Sequence, residues 1–378
     1  MNMKKILFSF ILCFLLTTGM LPSALAEGDV FALEDENGRY LTSIQGECEA
    51  GDEYISEDNQ HYRITKADRQ NQKAIAEKIG QAEMPDVSWL DIQDSLPVAA
   101  LGDRTIALYC THSDESYIKG DGTESVEGSG GIYDIANALG EALEELGVTI
   151  EISDATHLPH DAGAYRRSRQ TAVSLLKNQP DAIFDIHRDG IPDPDEYTAT
   201  VGNQKMSKVR LLVGKSNQNK DANLSFAKQI KAVGDKMYPG LIKDIYMGKG
   251  AYNQDLAPRS VLLEFGTHTL DKELVLKSVT PMSEVIYKAL FGGITGSAGS
   301  SDVSSRSSSS STSAEPQKPA SEDNTGSGWI VWLVIALVIG LGLFAFLSTG
   351  GRGGMDKFKR SFSEMTGGLI GKKPPKEK

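Results

Sequence analysis

The chain has 378 residues and a formal net charge of -12, with 51 acidic against 39 basic side chains. That length holds one large domain with accessories. The acidic balance argues against a nucleic-acid partner, since a polyanion would be repelled.

Lys4 and Lys5 precede an apolar run over 6–16 and a small-residue exit at Ala24, Leu25 and Ala26. This order predicts a secretory signal over 1–26. Residues 29–65 predict a small β unit. Two strands flank Glu36, Asn37 and Gly38, and a second pair turns at Asp58 and Asn59. Residues 68–81 are polar and predict a helix, and a proline-containing connector follows. The whole of 27–100 reads as a spacer without a site of its own.

Residues 101–295 carry the main pattern. Apolar runs predict strands at 105–110, 148–152, 181–186, 209–213 and 260–265. Helical spacing predicts helices at 131–146, 165–178, 222–237 and 270–290, with Gly147 and Pro239 as stops. Strands alternating with helices imply an α/β fold: a mostly parallel twisted sheet with helices on both faces. Residues 296–328 are Ser-rich and predict a flexible stalk. Residues 329–348 are uncharged, with Trp329 and Trp332 at one end. They are long enough for a transmembrane helix. The tail, 349–378, is basic, which places it in the cytoplasm and the body outside the cell, on a single-pass membrane anchor.

The chemistry gathers where apolar strands end. His112 and Glu115 follow the first strand, His187 follows 181–186, and Glu264 interrupts 260–265. In open α/β sheets ligands bind at that edge. Catalytic zinc takes three protein ligands and keeps one position for water. His112, Glu115 and His187 are the expected ligands of Zn2+, with Glu127 as the rival of Glu115. Glu264 is the expected general base, the alternative being a salt bridge to Arg259. Arg188 would hold an anionic intermediate or a substrate carboxylate. His160, Asp161, Arg169 and Asp189 are candidates for touching substrate or supporting the ligands. Asp161 reads equally well as a helix cap. Of three cysteines, Cys13 lies in the signal. Cys48 and Cys110 read as free thiols rather than a disulfide, and Cys110 is a minor alternative ligand because strand alternation would put it on the face of His112.

On THSDESY (111–117), HDAGAYRRSR (160–169), DIHRD (185–189) and NQDLAPRSVLLEFG (253–266), the chain resembles the stage II sporulation protein P family. These are zinc-dependent N-acetylmuramoyl-L-alanine amidases of spore-forming bacteria. The resemblance spans most of 105–294. It implies the fold of zinc cell-wall amidases. It also implies cleavage of the lactyl–L-alanine amide bond of peptidoglycan during septal wall remodelling, and a lytic transglycosylase partner. The family typically carries an N-terminal anchor, whereas a cleavable signal and a C-terminal anchor are expected here. Two alternatives stay open: a zinc peptidase or carboxypeptidase acting within stem peptides, and a non-catalytic wall-binding scaffold.

Overall fold

A computed structural model of the chain describes residues 29–46, 48–91, 104–161 and 163–292. The expected signal, stalk, membrane segment and tail lie outside the described residues. Among the described residues no helix is long and apolar enough to cross a membrane.

Five strands come first: β1 (Val30–Asp35), β2 (Tyr40–Gln45), β3 (Glu53–Ile55), β4 (Gln60–Asp68) and β5 (Lys73–Gln81). The two expected hairpins, β1–β2 and β3–β4, are present and antiparallel. Residues 73–81 are a strand, not the expected helix. Lys, Ala and Glu favour helices weakly, and pairing with β4 and β1 overrides that preference. Burial alternates along β5: Ala74 and Ala76 are buried, while Ile75 and Ile79 are 40% and 38% exposed. With its large apolar side chains turned outward, this strand does not look like one in the sequence.

The body adds β6 (Thr105–Tyr109), β7 (Thr149–Ile152), β8 (Ala182–Asp189), β11 (Val209–Gly214), β12 (Ile242–Gly248) and β13 (Ser260–Thr267). A separate hairpin pairs β9 (Thr198–Val201) with β10 (Gln204–Ser207). The hairpin and β12 were not foreseen. Lys243 and Asp244 break the apolar pattern of β12, yet both are buried. One sheet of 11 strands results, in the order β2-β1-β5-β4-β3-β12-β11-β13-β8-β6-β7. The stretch β13-β8-β6-β7 is parallel, as expected. Beyond it β11 runs antiparallel to β13, and β12 antiparallel to β3, so the whole sheet is mixed.

Strand alternation sorts the two faces. Ile106, Leu108, Phe184, Ile186, Leu211 and Leu263 pack against helices α1 (Ile132–Glu145), α3 (Lys220–Met237) and α4 (Lys272–Phe291) in one core. On the other face Ala107, Tyr109 and Ile183 meet Ala172 and Leu175 of α2 (Ala164–Leu175). Helices therefore cover both faces. Cys110 belongs to the first core, while His112 lies past the end of β6, where alternation no longer applies. Cys110 is not in the group of donor atoms that converges at His112, Glu115 and His187, and it and Cys48 are free, buried thiols.

The N-terminal strands are continuous with the body through β3–β12 pairing. Phe31, Leu33, Ile44, Tyr54, Tyr62 and Ile64 share a core with Tyr246 of β12, and Leu212 of β11 packs against it. A β2 side chain, Gln45, sits so close to Gly190 that a Cβ there would collide with its amide group. The small β unit therefore closes over the body next to the C-terminal end of β8.

The β5 assignment has a direct test. Ala76→Asp buries a charge and should cost about 3 kcal/mol or more, whereas Ile75→Lys should stay within about 0.5 kcal/mol of wild type in urea denaturation. A helix with Ile75 inward would reverse that order.

Candidate metal centre

The site begins with a clamp between two strand ends. Thr111, just past β6, donates from its backbone N to Asp185 Oδ1 (2.8 Å) and from Oγ1 to Asp185 Oδ2 (2.6 Å). The chain then turns, and Glu115 N donates to His112 O at 3.2 Å. This turn folds the Glu115 carboxylate back under the His112 ring. His112 Nδ1 lies 3.2 Å from Glu115 Oε1, and His187 Nδ1, from β8, lies 3.4 Å from the same oxygen. The second oxygen, Oε2, accepts from the backbone N of Arg188 at 2.9 Å. One donor atom from each of His112, Glu115 and His187 lies within 4.8 Å of the other two.

Charge fits the geometry. Burial pushes the Glu115 carboxyl up, but the charge of His187 and the hydrogen bonds from His112 and His187 outweigh it and hold the carboxyl well below its ordinary range. Burial lowers His187, while Asp185 and Glu115 more than reverse this and raise it. His112 is lowered, mainly by burial. His187 Nε2 is 2.9 Å from Asp185 Oδ1 without the alignment of a hydrogen bond.

Glu264 is the register partner of His187 across β13 and β8. Its Oε2 is buried with no hydrogen-bond partner. Burial and the charge of Asp189 push the carboxyl well above its ordinary range. Arg259, the alternative partner, is exposed at the start of the strand. Just past Glu264 the strand bulges at Gly266, whose φ of 70° and 2.9 Å Cβ approach to Ser207 Oγ suit glycine alone.

The other candidates separate. Glu127 is exposed and lines an open groove with Asp114, Ser125 and His160; Glu115 is the carboxylate brought to the histidine pair. His160 Nδ1 meets Asp114 Oδ1 at 2.9 Å, and its ring lies 4.1 Å from that of His112, so it does flank the site. Arg188 corrects the expectation of an anion-holding group. Its guanidinium donates to Ser116 O (3.2 Å) and Glu124 O (2.9 Å), because strand alternation turns it away from His187. Asp161 is tied up at the start of α2, accepting from Gly163 N (2.8 Å) and Arg167 Nη2 (2.6 Å). Arg169 makes a two-pronged pair with Asp255, at 2.8 and 2.6 Å. Asp189 accepts from Tyr197 Oη (2.6 Å) and Arg210 Nη1 (2.9 Å). These last three brace the scaffold, and Asp189 also acts on Glu264 through its charge.

Two contributors were not foreseen. The Tyr165 ring lies 5.5 Å from His112 and 6.3 Å from His187, nearly parallel to the latter, and walls the site. Asp185 fastens the two strand ends. The available signal was an acid inside a buried strand, two residues before His187.

A family model described as stage II sporulation protein P matches residues 25–287, a span that contains all four central residues. The chain belongs to the stage II sporulation protein P family. It is 30% identical over 194 residues to the Stage II sporulation protein P of Bacillus subtilis (strain 168), an overlap of 46% of this chain and 48% of that protein. The chain thus spans about half the length of this relative. Among solved structures, an N-acetylmuramoyl-L-alanine amidase of Nostoc punctiforme overlaps 50% of this chain and 97% of its own, at 13% identity and a TM-score of 0.33. One from Mycobacterium abscessus overlaps 51% and 99%, at 14% identity and a TM-score of 0.34. Overlaps this loose carry no argument about the chemistry.

The state of Glu264 can be tested without any assay of activity. A carboxyl whose folded pKa is raised binds its proton more tightly folded than unfolded, so ionisation destabilises the fold. In metal-free protein, Glu264→Gln should therefore raise the Tm at neutral pH. The gain should vanish as pH falls below the unfolded value of about 4.5. A neutral or negative effect at pH 7 would contradict this.

Proposed function

We propose that the chain is a zinc-dependent N-acetylmuramoyl-L-alanine amidase acting on peptidoglycan, in the setting of sporulation. The observation that carries the reading is the convergence of His112, Glu115 and His187 beside the unpartnered acid Glu264. The family supports it, as does the outward orientation expected from 1–26 and 329–348, since the substrate lies outside the cell.

The three residues fit zinc. Two imidazoles and one carboxylate are a donor set of catalytic zinc sites, whose ligands, about 2 Å from the ion, stand roughly 3.3 Å apart. The distances from Glu115 Oε1 to the two nitrogens, 3.2 and 3.4 Å, have that size. A zinc ion held there would lower the pKa of water and polarise a carbonyl oxygen.

The remaining steps fall to the chain itself. The Arg188 backbone N–H fixes one oxygen of Glu115, so the other faces the histidines. Asp185, held by Thr111, sets the position of the His187 ring. Glu264 takes a proton from the attacking water as the C–O bond forms at the lactyl carbonyl. It then returns that proton to the nitrogen of L-alanine as the C–N bond breaks. A raised pKa suits both halves of that cycle, because the acid form must be accessible for the return. Tyr165 limits the room above the histidines and helps to exclude bulk water.

Digestion of purified peptidoglycan, followed by mass spectrometry, tests this. Free stem peptides with a new L-alanine N-terminus are expected. Chelation should abolish their release and Zn2+ restore it, and Glu264→Gln should lower kcat by about 10²-fold or more. New C-termini within the stem would instead indicate a peptidase. Stoichiometric wall binding that survives chelation, without products, would indicate a scaffold.

A further inference from the structure

Glu264 has a neighbour on its other side. Arg210, on β11, is its antiparallel register partner, so His187, Glu264 and Arg210 form one row across β8, β13 and β11. Side chains at such positions stand about 5 Å apart at Cβ, within reach of a guanidinium. A buried carboxylate beside an arginine would ordinarily take a two-pronged ion pair. Here the arginine turns elsewhere. Arg210 Nε and Nη2 grip Asp244 of β12 at 2.7 and 3.0 Å, and Nη1 holds Asp189 at 2.9 Å. Nη2 also reaches Thr42 Oγ1 at 2.9 Å and Ser43 O at 3.0 Å. Glu264 is not among these acceptors, and its Oε2 is left without a partner.

The acceptors that draw Arg210 away are themselves fixed. Asp244 is fully buried and also meets Lys243 Nζ at 3.2 Å. Lys243 in turn holds Glu196 at 3.0 Å, and Glu196 Oε2 accepts from Thr42 Oγ1 (3.0 Å) and Ser43 N (3.1 Å). Thr42 and Ser43 belong to β2. The small N-terminal β unit, read from the sequence as a spacer, thus supplies two of the groups that hold the guanidinium.

We propose that Asp244, together with Thr42 of the N-terminal β unit, is a positioning residue that holds Arg210 away from Glu264 and keeps the Glu264 carboxylate free to accept a proton. This rests on the reading of Glu264 as the base. Without the charge of Asp244, the carboxylates next to Arg210 are Asp189 and Glu264. A guanidinium paired with Glu264 would occupy the lone pairs that must receive the proton of water, and the loss would fall on the chemical step rather than on substrate binding. Removing arginine and aspartate together removes the guanidinium that would capture Glu264, while Lys243 keeps its pairing with Glu196. Replacing a buried ion pair by apolar groups is also often tolerated by the fold.

The test uses the full chain, with zinc content, circular dichroism, kcat and KM measured on purified peptidoglycan. Asp244→Asn should lower kcat by about tenfold to a hundredfold, a fraction of what a general base contributes, with KM and zinc content within about twofold of wild type. Thr42→Val should lower kcat a few-fold in the same manner. Arg210→Met combined with Asp244→Leu should recover at least about tenfold of the loss seen in Asp244→Asn. A folded Asp244→Asn protein with wild-type kcat would overturn the proposal, as would a folded double variant as slow as the single. If Asp244→Asn does not fold, Thr42→Val decides: an unchanged kcat overturns the proposal and a lowered kcat with unchanged KM supports it. An inactive wild type would overturn the amidase reading and this proposal with it.

Discussion

The structure depends on one buried carboxylate. Glu115 is 3% exposed and lies between two imidazole nitrogens. Burying an ionised carboxyl costs several kcal/mol unless charge and hydrogen bonds compensate it. The compensation comes from both near and far in the chain: His112 three residues before it, and His187 and the Arg188 N–H from β8. The contacts from β8 form only when β6 and β8 are in register, and the Thr111–Asp185 clamp fixes that register. The site is thus a condition on the fold as well as a product of it.

Around this centre the sheet divides its labour by face. One face is apolar and carries three helices, which supply most of the buried hydrophobic surface. The other turns Asp185, His187, Asp189, Arg210, Asp244 and Glu264 toward α2 and the N-terminal strands. Buried charges are weak contributors to net stability, because desolvation offsets their attraction. Their accumulation on one face is better explained by what they hold in place. Arg210, with Asp244, Asp189 and Thr42, joins the N-terminal unit to the strand that carries Glu264. The N-terminal strands are then an integral part of the body that carries the site.

Much of the site was legible because its residues violate local rules. A histidine directly after a buried strand, or a glutamate within VLLEFG, is costly without a purpose, and His112, His187 and Glu264 stood out for that reason. Glu115 and Glu127 could not be separated by spacing, since the choice depends on how the 112–115 turn folds. Arg188 misled because a guanidinium next to His187 in sequence faces the opposite side of the strand. Arg210 and Asp244 stayed hidden because their meaning depends on strand order, which brings β11 between β12 and β13. The same logic covers the fold. Alternating strands and helices announced the parallel core, whereas β12 was masked by its own buried charges and β5 by its outward isoleucines. Tyr165 carried no signal apart from its place near His160.

The most direct measurement of the central claim is diffraction at the zinc absorption edge from crystals of the zinc-loaded protein. The account predicts one anomalous peak about 2 Å from His112, Glu115 and His187, with Glu264 nearby and not coordinating. A peak at any other set of side chains, or none at saturating zinc, would contradict it.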